Sequence, residues 1–125
     1  MSLERILETL KEGLVLETPS GRAKFIIQRL NGEGVEITVG AGLPILLPRN
    51  LWDSLASFLE GKGWVRIGSI HGKAEKGTLD YFVQQFTNGR SAASYIAPIL
   101  EKAGLVEISR SQPSRLRYLP NSLTS

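Results

Sequence analysis

The sequence contains no cysteine, which excludes disulfides, thiolate zinc sites and cysteine nucleophiles, and redox chemistry therefore says nothing about the compartment. Histidine is nearly as scarce: His71 is the single example, too few for a multi-histidine metal site, and it reads as an ordinary exposed residue. Asp53 and Asp80 are the only aspartates, both on expected helices, while Glu17 and Glu36 alternate with apolar strand neighbours and should face water. From this inventory no metal cluster, no cofactor site and no Ser/His/Asp arrangement can be assembled, so no enzyme is expected. The segments Gly32-Glu33-Gly34, Gly40-Ala41-Gly42 and Gly61-Lys62-Gly63 lack the spacing of a phosphate-binding loop and read as turns. No stretch approaches about 18 uninterrupted apolar residues, and the N-terminal MSLERILETLKEG mixes charge with apolar positions. Neither a membrane partner nor a signal segment is expected, and a soluble, cytoplasmic protein is the default.

What is present suffices for a folded core. The chain has 125 residues, 42% of them hydrophobic and 22% charged, close to the usual balance of globular proteins. The net charge of +3 is unevenly spread. Residues 1–71 carry eight Lys/Arg and eight Asp/Glu, whereas residues 72–125 carry seven against four, so the excess lies wholly in the C-terminal part. Between Arg90 and Arg117 the basic residues are Arg90, Lys102, Arg110, Arg115 and Arg117, against Glu101 and Glu107.

Periodicity gives the order of elements. Leu3, Ile6, Leu7 and Leu10 fall at helical spacing, with Ser2 as a cap and Gly13 as a stop. Leu14–Glu17, Lys24–Arg29 and Val35–Val39 read as strands of an antiparallel meander, with a further strand at Ile45–Leu47. Asn50 is the expected N-cap of a helix over Leu51–Leu59, followed by a strand at Trp64–Ile67, with Trp52 and Trp64 as core anchors or partner-binding surface. His71–Gly77 reads as a polar loop where mobility is expected. Thr78 caps a helix bearing Leu79, Phe82, Val83 and Phe86; Thr87-Asn88-Gly89-Arg90 breaks it; Ala92–Ala103 is a third helix containing Pro98. Leu105–Ile108 and Arg115–Leu119 then form a hairpin around Ser109–Ser114, and the tail at 120–125 should fray.

The segments TLDYFVQQF, TNGR, SAASYIAPILEKAGLVEI and RLRYL carry a likeness. Their order over residues 50–119, with LEKAGLV running straight into a hairpin, resembles the winged helix-turn-helix superfamily. The expected fold class is α+β: an N-terminal helix and small antiparallel sheet over residues 1–49, followed by a C-terminal winged helix-turn-helix, as separate units or one compact unit.

The resemblance implies a non-enzymatic DNA-binding protein, a transcriptional regulator or accessory subunit, with double-stranded DNA as partner. The residues agree: Ala93, Ile96, Leu100 and Ala103 form one stripe of the third helix, leaving Ser91, Ser94, Tyr95, Pro98 and Lys102 opposite, with Arg90 at the N-terminal edge. Ser91 serves equally as a plain N-cap, and Pro98 removes a helical hydrogen bond. With Val106 and Ile108 inward, Leu116 and Tyr118 should match them, which turns Arg115 and Arg117 outward, with Arg110 near the turn, as a phosphate clamp or as an arginine probe for a narrow minor groove. The plain alternative is positive charge protecting a sheet edge. The expected interface is therefore Arg90, Ser91, Ser94, Tyr95, Lys102, Arg110, Arg115 and Arg117. The alternative is a protein-interaction module in which the winged helix is scaffold and the N-terminal sheet docks a partner, since +3 is mild for a free-standing DNA binder; a homodimer through the sheet edge or the N-terminal helix is a further candidate partner.

Overall fold

The structure, a computed structural model, describes residues 3–42, 44–68 and 75–119. The fold is α+β, with four helices and two antiparallel sheets among the described residues. The expected loop at His71–Gly77 falls largely on residues 69–74, and the Ser2 cap and the expected frayed tail on residues 1–2 and 120–125, all outside the described residues.

Helix α1 (Leu3–Thr9) buries Leu3 and Ile6. Strands β1 (Val15–Glu17), β2 (Lys24–Asn31), β3 (Gly34–Val39) and β4 (Ile45–Pro48) follow as a meander in the order β1-β2-β3-β4. Phe25, Ile27, Val35, Ile37 and Leu47 turn into the core. In β2 the inward positions step from Phe25 and Ile27 to Leu30, breaking the two-residue period. The cause is a bulge: Ile27 pairs with Ile37 and Arg29 with Glu36, which leaves Gln28 as the extra residue. Gly34 is obligatory at the next turn, because its φ is +141° and a Cβ there would stand 2.2 Å from the Leu47 carbonyl oxygen.

Helix α2 (Arg49–Leu59) buries Leu51, Trp52, Leu55 and Leu59 along one stripe. Asn50 does not cap it: Pro48 occupies the cap position without a side-chain bond, and Asn50 is already helical. The adjoining sheet does the capping instead. Pro48 pairs with Gly34, the Arg49 N–H donates to the Glu33 carbonyl at 2.8 Å, and Trp52 Nε1 donates to the Leu47 carbonyl at 2.9 Å.

Strand β5 (Trp64–Arg66) leads to helix α3 (Leu79–Gln84), where Thr78 Oγ1 accepts from the Tyr81 N–H at 3.1 Å as a side-chain cap. Asn88 and Gly89, both at positive φ, turn the chain into helix α4 (Ala93–Lys102). Strands β6 (Val106–Ser109) and β7 (Arg115–Tyr118) close a three-stranded sheet in the order β5-β7-β6. Val106 faces Tyr118 and Ile108 faces Leu116, the pairing expected from alternation.

Buried side chains from α1, both sheets, α2, α3 and α4 belong to one cluster, so the N-terminal sheet and the C-terminal helices share a core. Each fully buried Leu or Ile in it contributes roughly 1.5–3 kcal/mol of transfer free energy. No helix among the described residues is long and apolar enough to cross a membrane.

Candidate nucleic-acid interface

Helix α4 is central to this core rather than laid on its surface. Ala93, Ile96, Ala97, Pro98, Ile99 and Leu100 are all buried, leaving Ser94, Tyr95 and Glu101 half-buried and Lys102 exposed. Pro98, expected on the outward face, is therefore interior. The covering layer is the N-terminal sheet: β1 packs along α4, and Phe25 of β2 meets the Tyr95 ring edge-on with centroids 5.3 Å apart. Two clefts of about 740 and 730 Å³ run along this seam. Lys102 lines the first with Pro98 and Arg110, Ser94 and Tyr95 line the second, and the β1–β2 turn at Thr18–Ser20 walls both.

Ser91 is not the N-cap of α4; Ala92 holds that position with no side-chain bond. Its hydroxyl donates instead to Asp80 Oδ1 at 3.0 Å, while Gln84 Nε2 donates to Asp80 Oδ2 at 3.2 Å. Asp80, expected to be solvated, is only 6% exposed and ties the start of α3 to the start of α4. Arg90 is exposed beside this turn.

The wing arginines divide into two groups. Arg110 makes a two-pronged bridge to Glu101 at 2.7 and 2.9 Å, which fastens the hairpin turn to the end of α4. That hydrogen-bonded carboxylate raises the Arg110 pKa above its ordinary value, against a smaller opposing effect of burial. Arg115 and Arg117 instead point out from the second sheet, and β7 is its central strand, so they do not guard an edge.

Register arranges that outer face as two cross-strand rows. Trp64, Arg117 and Glu107 form one; Arg66, Arg115 and Ser109 form the other. The inner face carries Val65, Leu116 and Ile108. In the first row the Arg117 guanidinium lies 4.8 Å from the centre of the Trp64 ring and is also paired with Glu107. Trp64 is 44% exposed, whereas Trp52 is wholly buried, so the two tryptophans have opposite roles.

In the second row two guanidinium groups stand on directly opposed residues, an arrangement that costs stability unless an anion intervenes. Arg66 Nη1 lies 3.5 Å from Glu75 Oε2, but its Nε and Nη2 are out of contact with solvent and have no hydrogen-bond partner. Among the described residues no carboxylate lies within ion-pair distance of Arg115.

Of the expected interface residues, this face unites Arg115 and Arg117. Ser94, Tyr95, Lys102 and Arg110 lie along the seam with the N-terminal sheet, and Ser91 is bound to Asp80. Sequence reasoning missed Arg66 as a member of the site. The available signal was the alternation Trp64-Val65-Arg66, which puts Trp64 and Arg66 on one side of a strand. Among the described residues no group of three or more His, Asp or Glu is placed to hold a metal ion. No protein-family model, curated protein or solved structure matches the chain.

Proposed function

We propose that the protein binds nucleic acid without chemistry, as a winged helix-turn-helix whose contact surface is the outer face of the β5-β7-β6 sheet. The winged-helix reading draws support from the order α2, β5, α3, α4, β6, β7 and from the pairing of the isolated strand β5 with the return strand of the hairpin. The observation that carries the binding surface is the convergence of Arg66, Arg115 and Arg117 on adjacent cross-strand rows. Of these, the Arg66 and Arg115 guanidinium groups meet phosphate oxygens and displace condensed counterions, while Arg117, paired with Glu107, backs Trp64. Groove insertion by α4 is disfavoured, because the N-terminal sheet covers the face that would enter. A role as regulator or accessory subunit fits a chain with such a surface.

The test is fluorescence anisotropy of labelled single-stranded and duplex oligonucleotides over a salt titration. Binding that weakens linearly in log-log coordinates supports the reading; no binding at low salt removes it.

A second reading, a protein-interaction module on the same scaffold, has its own observation. Val15 and Ile26 are direct cross-strand partners and both exposed on the outer face of the first sheet, with Leu46 exposed on β4. Salt-insensitive behaviour toward every oligonucleotide, together with concentration-dependent self-association that Ile26→Lys abolishes, favours this reading.

A further inference from the structure

We infer that the outer face of the β5-β7-β6 sheet holds one nucleotide unit of a single strand, its base on Trp64 and its phosphate between Arg66 and Arg115. This rests on the nucleic-acid reading above and narrows it to unpaired strands, DNA or RNA.

Trp64 carries the first half. An exposed tryptophan on an edge strand is costly to leave in water, and its ring is already backed on one side by the Arg117 guanidinium. Arg117 is itself held by Glu107, so the ring is supported from behind by a fixed cation. A nucleobase stacked on the open side completes a layered arrangement that needs an unpaired base, because in a duplex both faces of each base are occupied by neighbours.

The second half rests on Arg66. Two of its nitrogen atoms lack both solvent and partner, and the residue directly across the strand pair is another arginine. Arg66 Nη1 rests on Glu75, and its Nε and Nη2 meet an oxyanion once the side chain swings off that carboxylate toward Arg115, a move that satisfies the unpaired donors and screens the like charges. The Arg66–Arg115 row lies two residues along the strands from the Trp64–Arg117 row, about 7 Å away. Base and phosphate positions thus sit side by side on one rigid face. The first sheet carries no exposed aromatic side chain among the described residues.

Intrinsic tryptophan fluorescence provides the test, since buried Trp52 is shielded and exposed Trp64 is not. Oligodeoxythymidine and oligouridine of about 12 nucleotides are titrated into the intact protein, with a duplex of the same length and inorganic tripolyphosphate as comparators. Both single strands should quench the emission and bind more tightly than the duplex. Trp64→Leu should abolish the quenching and weaken single-strand binding about 5- to 100-fold, and Trp64→Phe should restore most of the affinity. Tripolyphosphate should compete with the strands for the wild-type protein but bind Arg66→Met more weakly. Equal affinity for duplex and single strands, with Trp64→Leu unaffected, overturns the inference while leaving nucleic-acid binding intact. Binding of no oligonucleotide overturns both. Oligodeoxyuridine, which differs from oligouridine only in lacking the 2′-hydroxyl, separates the two sources: tighter binding of either strand identifies which nucleic acid the site takes.

Discussion

Phe25 of the N-terminal sheet stands edge-on against Tyr95 of α4, their ring centres 5.3 Å apart and their planes inclined by 67°. This contact fastens the sheet over the helix face that a groove-binding protein would keep free. Phe25 is fully buried, so Phe25→Ala removes both the ring and the packing around it. The expected loss is about 3–5 kcal/mol of unfolding free energy, read by chemical denaturation. A loss below about 1 kcal/mol would mean that the sheet does not pack on α4 as described.

Arg110 and Glu101 make the best-formed ion pair in the hairpin region, yet both side chains remain partly exposed. Exposed pairs contribute little, so Arg110→Ala should change stability by no more than about 1 kcal/mol. Because this guanidinium is already engaged, the same variant should leave oligonucleotide affinity nearly unchanged. A large drop in affinity on removing Arg110 would show that the bridge opens to receive phosphate.

Arg66 has the opposite profile. Its unpartnered nitrogens and its position across from Arg115 make it poorly suited to stability and well suited to binding. Arg66→Met should unfold at the same denaturant concentration as the wild type or higher, within about 1 kcal/mol, while binding nucleic acid more weakly. Chemical denaturation paired with anisotropy titrations checks both halves. A variant destabilised by more than about 2 kcal/mol would assign Arg66 a structural role.

Much of the fold is legible in the sequence because it depends on neighbours. Thr78 caps α3 through an atom three residues away, and Val106 and Ile108 share the inner face with Tyr118 and Leu116 because alternation along both arms of a short hairpin puts all four on one side. The cap of α2 was not legible, since the Arg49 N–H is satisfied by the Glu33 carbonyl of a strand turn and Asn50 is left without that task. Nor was the pairing of β5 with β7, which joins segments far apart in the chain and alone brings Arg66 beside Arg115. The covering of α4 did leave a trace: Ile96, Ala97, Pro98, Ile99 and Leu100 form a nearly continuous apolar run, and a helix apolar on most sides belongs inside.

Tyr118 offers a test by pH. Its hydroxyl is buried without a partner, and burial, reinforced by the negative charge of Glu60, raises its pKa above 10.0. A phenol whose folded pKa is raised stabilises the fold below its unfolded value and loses that contribution as pH climbs through the folded value. Stability should therefore fall as pH rises past about 10, and Tyr118→Phe should blunt the fall. At neutral pH the same variant should be neutral or slightly stabilising, because no hydrogen bond is lost. Equal alkaline sensitivity in the variant would contradict this assignment.

For the proposed nucleic-acid complex, the salt dependence of single-strand affinity measures most directly which surface meets the phosphate backbone. Each phosphate contact contributes about 0.7 to the slope of log K against log salt. For Arg66→Met combined with Arg115→Ala, the two side chains that hold one phosphate, the slope should flatten by about 0.7 with little change in thermal stability, whereas Ser94→Ala combined with Lys102→Ala should keep the wild-type slope. The reverse result, a flattened slope in the α4 variant and an unchanged one in the sheet variant, would contradict it.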